Sequence, residues 1–188
     1  MIKREEIIKK LKAALNRDRF KHSLRVEKAA VYLAQQHGVA VKKASIAALL
    51  HDYGRQFPRN QLLKQAQKHK IKTGSLEKAE PKLVHAKLSA LLAKKDFKIT
   101  DPDILSAINK HTLGSPRMTK LEKIIYLADH LEEGRSYPEA KKIRQLAQHK
   151  LDQAVALAAA QAILYLLRMN VPIHPGTILT MNYYLLKS

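Results

Sequence analysis

The chain has 188 residues, which is enough for one well-buried core and short for two, so we expect a single domain over residues 1–188. It contains no cysteine, which excludes disulfides, thiolate metal sites and a cysteine nucleophile and indicates a reducing cytoplasm. The net charge is +19, and residues 1–100 carry most of it, with 24 Lys and Arg against 8 Asp and Glu. This basic half is consistent with a nucleic-acid surface, with attraction of a polyphosphorylated small molecule, or with a solvated lysine-rich surface.

The sequence predicts no membrane span. Its longest apolar run, residues 154–167, has 14 residues and contains Gln161, so it is too short to cross a bilayer and is typical of a buried helix. The first 15 residues mix charged and apolar residues at helical spacing and lack the continuous apolar stretch of a signal peptide. We therefore expect a soluble, cytoplasmic protein.

Helical periodicity recurs along the whole chain, and no segment shows sustained strand alternation, so we expect an all-α fold, a helical bundle. The first five predicted helices cover the apolar stripe at 7–15, about residues 20–36, about residues 42–51, a stretch that begins after Pro58 and fades near Gly74, and a stretch that begins at Pro81. The next five run from about Pro102 to His111, from Thr119, from just after Pro138, over about residues 152–169, and, as a short helix, from Thr177.

Some helix ends carry specific signals. Gly38 lies just past the second helix and is a typical stop residue. Thr100 and Asp103 are predicted to cap the helix that begins around residue 102. Thr119 and Glu122 have the spacing of a capping box.

Six residues stand out because helices present them toward the core. His51 and Asp52 form a His-Asp pair at the end of the apolar segment SIAALL. Three more histidines and one aspartate lie near helix ends, on or close to apolar faces: His22, His85, His111 and Asp129. Burying so many polar groups costs on the order of several kcal/mol unless each finds a partner, and a metal cluster satisfies them together. We therefore predict a dinuclear metal site of the kind that hydrolases use. The other histidines are interpreted as structural or exposed: His37, His69, His130, His149 and His174.

The order of these six residues resembles the HD-domain metal phosphohydrolases. The strings RFKHSLRV, LLHDYGR, INKHTLGSPRMTKLEKIIYLADHLEEGRSYP and PIHPGT are similar to the YqeK-type branch, the symmetrical bis(5′-nucleosyl)-tetraphosphatases, over about residues 16–184. The resemblance implies a helical bundle that holds a di-iron centre and cleaves diadenosine tetraphosphate into two ADP. It assigns one metal to His22, His51, Asp52 and Asp129 and the second to His85 and His111, with Asp52 bridging. Asp52, His85 and His111 are thereby the catalytic candidates.

Phosphate contacts are predicted first for arginines, whose planar fork matches phosphate oxygens. Arg25 lies one helical turn beyond the first ligand, Arg55 follows the His-Asp pair, and Arg135 follows the helix of the last ligand. Thr112 and Gly114, in the next turn after a ligand, could offer a hydroxyl and close backbone approach. Each also has an ordinary interpretation, as a surface arginine or a helix-ending turn. This chain departs from the family pattern at two places. The family usually has a glycine shortly after the histidine that corresponds to His85, whereas this chain has the ordinary helical segment VHAKLSA. The family also tends to have a lysine at the position of Arg55.

We therefore expect a metal-dependent phosphohydrolase that cleaves diadenosine tetraphosphate symmetrically with a metal-activated water. Mixed imidazole and carboxylate ligands suit two transition-metal ions, with iron expected and manganese or zinc possible. One alternative changes the substrate to a nucleoside polyphosphate, an alarmone or a nucleoside monophosphate. A distant alternative is a basic helical module that binds nucleic acid, which an aromatic content of 5% disfavours. A homodimer is the default expectation for a soluble protein.

Overall fold

The computed structural model describes residues 2–187 and contains eleven α-helices and two 3-10 turns within them. These residues form no strand, as predicted for an all-α chain. The 3-10 turns are Tyr53–Gln56 and Pro81–Val84. The helices are α1 (Arg4–Ala14), α2 (Arg17–Gln36), α3 (Val41–Leu50), α4 (Arg59–Lys68), α5 (Ser75–Ala79), α6 (His85–Asp96), α7 (Pro102–Lys110), α8 (Lys120–Leu131), α9 (Ala140–His149), α10 (Leu151–Arg168) and α11 (Pro175–Leu185).

The core forms where α2 packs against α3 and α8. The buried face of α2 carries Val26, Ala30 and Leu33 at the spacing of an amphipathic helix. Helix α7 packs on both α3 and α8, and α6 packs on α7 and on the 3-10 turn after α3. All helices that carry a predicted metal ligand therefore surround one core, and their ends meet beside it.

Two predicted helix ends are confirmed, and one helix begins earlier than predicted. Gly38 follows α2 with a φ of 63°, the left-handed conformation that glycine adopts most easily. The capping box is present at the start of α8, where the Thr119 side chain accepts from the Glu122 backbone N–H. Helix α2 starts at Arg17 rather than near residue 20, because the side chain of Asn16 caps it.

Other ends differ from the prediction. The cap of α7 is neither Thr100 nor Asp103, because the Asp101 carboxylate accepts from two backbone N–H groups of the first turn. Pro81 begins a 3-10 turn, and the α-helix proper starts at His85. The short helix α5 was not predicted. The last helix starts two residues before Thr177 and has 11 residues, so it is not short.

Helix α10 is buried only in its first half, which corrects the prediction of a buried helix over 154–167. Toward its C-terminus, Leu164, Tyr165 and Leu167 are 43%, 62% and 60% exposed. Within residues 2–187 it is the one helix whose length and composition would suit a membrane span. The helices of soluble cores meet the same criterion, and α10 packs against α8, α9 and α11.

Candidate metal centre

Helix ends bring the six predicted ligands together. His22 lies in the second turn of α2, His85 is the first residue of α6, and Asp129 lies in the last turn of α8. His51 and His111 directly follow α3 and α7. The four imidazoles and Asp52 are buried, and Asp129 is partly exposed. Residues from five helices thus converge on one point at the edge of the core.

Hydrogen bonds at Nδ1 fix the orientation of all four imidazoles. His51 Nδ1 and His111 Nδ1 donate to backbone carbonyl oxygens three residues earlier, over 2.6 and 2.7 Å. His85 Nδ1 makes the same contact with the carbonyl of Lys82. His22 Nδ1 instead faces Glu132 Oε1 at 3.3 Å. Because carbonyl and carboxylate oxygens only accept, Nδ1 carries a proton, and in the neutral imidazole the free lone pair is then on Nε2.

These lone pairs face one another in two pairs. His22 Nε2 lies 3.2 Å from His51 Nε2, and His85 Nε2 lies 3.0 Å from His111 Nε2. Two lone pairs at such distances repel each other and cannot form a hydrogen bond. A cation bound by the two nitrogens of each pair would remove this repulsion, so this set of ligand atoms fits metal ions.

The Asp52 carboxylate lies between the two imidazole pairs. Its Oδ2 is 3.8 and 3.7 Å from the Nε2 atoms of His22 and His51. Its Oδ1 is 3.3 and 3.8 Å from the Nε2 atoms of His85 and His111. One oxygen therefore faces each pair, which is the arrangement of a bridging ligand.

The Asp129 carboxylate lies beside the first imidazole pair, His22 and His51. Its Oδ1 lies 3.1 Å from His22 Nε2 and 4.0 Å from His51 Nε2. Two groups of three residues have potential ligand atoms within 4.8 Å of one another: His22, His51 and Asp129, and His51, Asp52 and His111. His85 is in neither group, but its Nε2 lies 3.0 Å from His111 Nε2 and 3.3 Å from Asp52 Oδ1. These groups overlap at His51, which indicates that the two positions are adjacent.

The electrostatics keep these groups in the protonation states that metal ligation needs. Burial raises the pKa of Asp52, but the charges that His51 and His85 carry when they are protonated, together with the charge of Arg55, outweigh burial and hold the pKa below its usual range. Burial, helped by the charge of Arg55, lowers the pKa of His85 to about 3. Burial also lowers the pKa of His111 to about 4. At neutral pH the carboxylate is charged and these two imidazoles are neutral, as ligands must be.

The predicted phosphate-binding arginines contact carboxylates of the centre. Arg25 Nε donates to Glu132 Oε2 over 2.5 Å, and Arg55 Nε donates to Asp52 Oδ1 over 2.9 Å. Arg135 Nη2 donates to Asp129 over 3.1 Å. All three guanidinium groups therefore lie at the centre rather than elsewhere on the surface. Their contact with phosphate stays a prediction.

Thr112 and Gly114 have different surroundings. Thr112 Oγ1 lies 3.1 Å from the Nε2 atoms of both His85 and His111, so its hydroxyl faces the metal centre. Gly114 has a φ of 66°, and a Cβ there would lie 2.6 Å from Thr180 Cγ2 in α11. Packing against α11 therefore explains the glycine, and its predicted contact with phosphate stays a prediction.

Two residues of the centre were missed by the sequence analysis. Arg19 Nη1 donates to Asp52 Oδ2 over 2.9 Å, so two arginines hold this carboxylate. Glu132 is 3% exposed and contacts both His22 and Arg25. Burial raises the pKa of Glu132, but the Arg25 hydrogen bond outweighs it and lowers the pKa. Its position three residues after Asp129, on the same helical side, was the available signal.

The five remaining histidines contribute no ligand to the two potential ligand groups among residues 2–187. His37 contacts the carbonyl of Ala147, and His130 contacts the carbonyl of Tyr126. His174 caps α11 through its side chain. His69 is partly exposed and His149 is exposed.

Comparisons with known proteins agree with this geometry. The HD domain family model matches residues 19–134, the segment that contains all six predicted ligands. The chain is 37% identical over 180 residues to the symmetrical bis(5′-nucleosyl)-tetraphosphatase of Bacillus subtilis (strain 168), covering 96% of both chains. It is 34% identical over 184 residues to the enzyme of that name from Halalkalibacterium halodurans, covering 98% of both.

A solved crystal structure has the same fold. It is that of a predicted HD superfamily hydrolase involved in NAD metabolism from Clostridium acetobutylicum, with a TM-score of 0.94, 32% identity and complete coverage of both chains. The fold and the His-Asp cluster thus define an HD-domain hydrolase. Within this class, the chain belongs to the family of symmetrical bis(5′-nucleosyl)-tetraphosphatases.

Proposed function

We propose that this protein hydrolyses diadenosine tetraphosphate in the cytoplasm to two ADP at a dinuclear transition-metal centre. The observation that carries the proposal is the pair of facing Nε2 lone pairs, His22 with His51 and His85 with His111, with one Asp52 oxygen toward each. A single metal would leave one of these pairs unsatisfied. We infer the substrate from the names of the two relatives, both of which are symmetrical bis(5′-nucleosyl)-tetraphosphatases.

The donor set supports a transition metal rather than magnesium, which prefers oxygen ligands. Four imidazole nitrogens and two carboxylates suit iron, and they suit manganese or zinc as well. When bound, two such ions supply a water of lowered pKa and neutralise charge on the phosphate under attack.

The other residues of the centre have roles that follow from their positions. Arg19 and Arg55 each bind one oxygen of Asp52 and hold it charged between the imidazole pairs. The Thr112 hydroxyl beside His85 and His111 can donate a hydrogen bond to a phosphate oxygen. Arg135 is 44% exposed in its side chain and lies next to Asp129, where it can bind the polyphosphate as it enters.

The experiment is hydrolysis of diadenosine tetraphosphate in ¹⁸O-water by the metal-loaded protein. We expect ADP as the only nucleotide product, with label in one of the two ADP molecules of each turnover, because water attacks one of the two central phosphorus atoms. Asp52→Asn is the matched control and should be inactive. Early release of ATP and AMP would contradict symmetric cleavage. If the metal-loaded protein leaves this substrate intact, the result would favour the alternative function, hydrolysis of a nucleoside polyphosphate, an alarmone or a nucleoside monophosphate.

A further inference from the structure

A cavity of about 480 Å³ lies beside the metal centre. It is bounded by the segment 134–139, which follows α8, and by the C-terminal part of α10. Asp129, a candidate metal ligand, also lines it, so the cavity and the centre are continuous. Its volume lies within the range of roughly 300–1,000 Å³ that is typical of small-molecule sites.

One face of α10 forms a wall of the cavity. Gln161, Ala162, Tyr165 and Arg168 all line it, at the three- and four-residue spacing that places side chains on the same helical face. Tyr165 is 62% exposed although it belongs to a strongly apolar segment. An aromatic ring left open on the wall of a cavity is a surface on which a nucleobase can stack.

The cavity contains two arginines that can bind phosphate, Arg135 and Arg168. Arg168 makes no side-chain hydrogen bond or ion pair within residues 2–187, so its guanidinium is available to a ligand. Arg135 lies on the other wall, next to Asp129. Glu139 is also at the cavity, in the segment after α8. Tyr137 lines the cavity as well, but it is the more buried of the two tyrosines. Two arginines and the exposed ring of Tyr165 next to a metal centre match a ligand that has phosphates at one end and a base at the other.

Resting on the function proposed above, the geometry points to this cavity as the binding site of one nucleoside 5′-diphosphate half of the substrate. The base stacks on Tyr165, and the phosphates extend past Arg168 and Arg135 toward the metal centre. The Gln161 side chain, which offers both a donor and an acceptor, faces the same space.

Calorimetric titration of the metal-loaded protein with ADP tests this site directly. We expect Tyr165→Ala to weaken ADP binding by roughly 5- to 100-fold, because base stacking is lost, and Tyr165→Phe to bind as the wild type does. Arg168→Gln should weaken binding by about tenfold or more. Leu167→Ala is the matched control, since Leu167 is 60% exposed on the same helix and does not line the cavity.

The same variants separate this site from the proposed function. In hydrolysis of diadenosine tetraphosphate, Tyr165→Ala should raise KM by a factor similar to its loss of ADP affinity. ADP binding that is unchanged in Tyr165→Ala, or equally weakened in Leu167→Ala, would overturn the assignment of the cavity. A changed oligomeric state of Tyr165→Ala in size-exclusion chromatography would overturn it too, by making this face a contact between copies. If ADP binding depends on Tyr165 but the wild type releases no ADP from diadenosine tetraphosphate, the proposed function fails and the binding site stands.

Discussion

The backbone N–H of Gly54 donates a hydrogen bond to Ser89 Oγ over 2.8 Å. This contact joins the turn that follows Asp52 to helix α6, which begins at His85. A Cβ at residue 54 would lie 2.7 Å from the His85 carbonyl oxygen, closer than real Cβ atoms approach such a neighbour. The distance between Asp52 and His85 therefore depends on the absence of a side chain at residue 54.

We expect Gly54→Ala to lower the free energy of unfolding by about 1–3 kcal/mol, because the turn or the helix must shift. The same shift moves Asp52 from His85 and should weaken metal binding. Calorimetry and metal analysis measure the two effects. Ser89→Ala removes the acceptor without adding a clash and should have the smaller effect on metal content. A Gly54→Ala variant with wild-type melting temperature and metal content would contradict this account.

Metal content is the most direct test of the six-residue centre. Protein purified without chelator should contain about two transition-metal ions per chain. His51→Ala should lose both metal and activity, whereas His149→Ala, on the exposed surface, should keep both. Chelation should lower the melting temperature of the wild type, because an ion that binds only the folded state stabilises it. Two ions retained by His51→Ala would refute the ligand assignment.

Glu132 should act as a positioning residue for His22. Glu132→Gln keeps an acceptor for Nδ1 but removes the charge that pairs with Arg25, so we expect metal affinity to fall roughly 10- to 100-fold. Titration of the metal-free protein with metal measures this without reference to activity. The neighbouring Glu133→Gln is the control, since Glu133 is exposed and pairs with Lys28. Equal affinities of the two variants would remove the proposed role of Glu132.

The arginines at the centre should affect the reaction more than the metal. We expect Arg135→Ala and Arg25→Ala to reduce kcat/KM by about ten- to hundredfold, because each charge-assisted contact with phosphate contributes about 1.5–3 kcal/mol. Metal analysis should show both ions retained in Arg135→Ala. Arg59→Ala, whose guanidinium pairs with Glu80 on the surface, is the control. Wild-type kinetics in both variants would place these arginines outside the substrate site.

The sequence could single out the six predicted ligands because each one lies at a place that local rules define. His51 and His111 follow apolar helices, and Asp129 continues the buried face of α8. Helical spacing is a short-range property, so one sequence suffices to find it. The capping box at Thr119 and the stop at Gly38 were found for the same reason.

The parts that escaped prediction depend on contacts between distant segments. Glu132 meets Arg25 only because α8 packs on α2, and 107 positions of sequence separate them. The exposure of the C-terminal half of α10 was not predicted, because an apolar composition predicts that a helix is buried but does not show which other segment covers it. At Tyr165 no helix of the described chain does so, and the cavity lies there instead.

Three of the four imidazoles are oriented by main-chain carbonyl groups, those of Ala48, Lys82 and Ile108. A carbonyl group is the same whichever side chain its residue carries, so substitutions at these positions that preserve the helix also preserve the direction of the imidazole. The centre can therefore tolerate sequence drift around three of its histidines. His22 alone depends on a particular side chain, and a lineage that lost Glu132 would have to supply another acceptor for it.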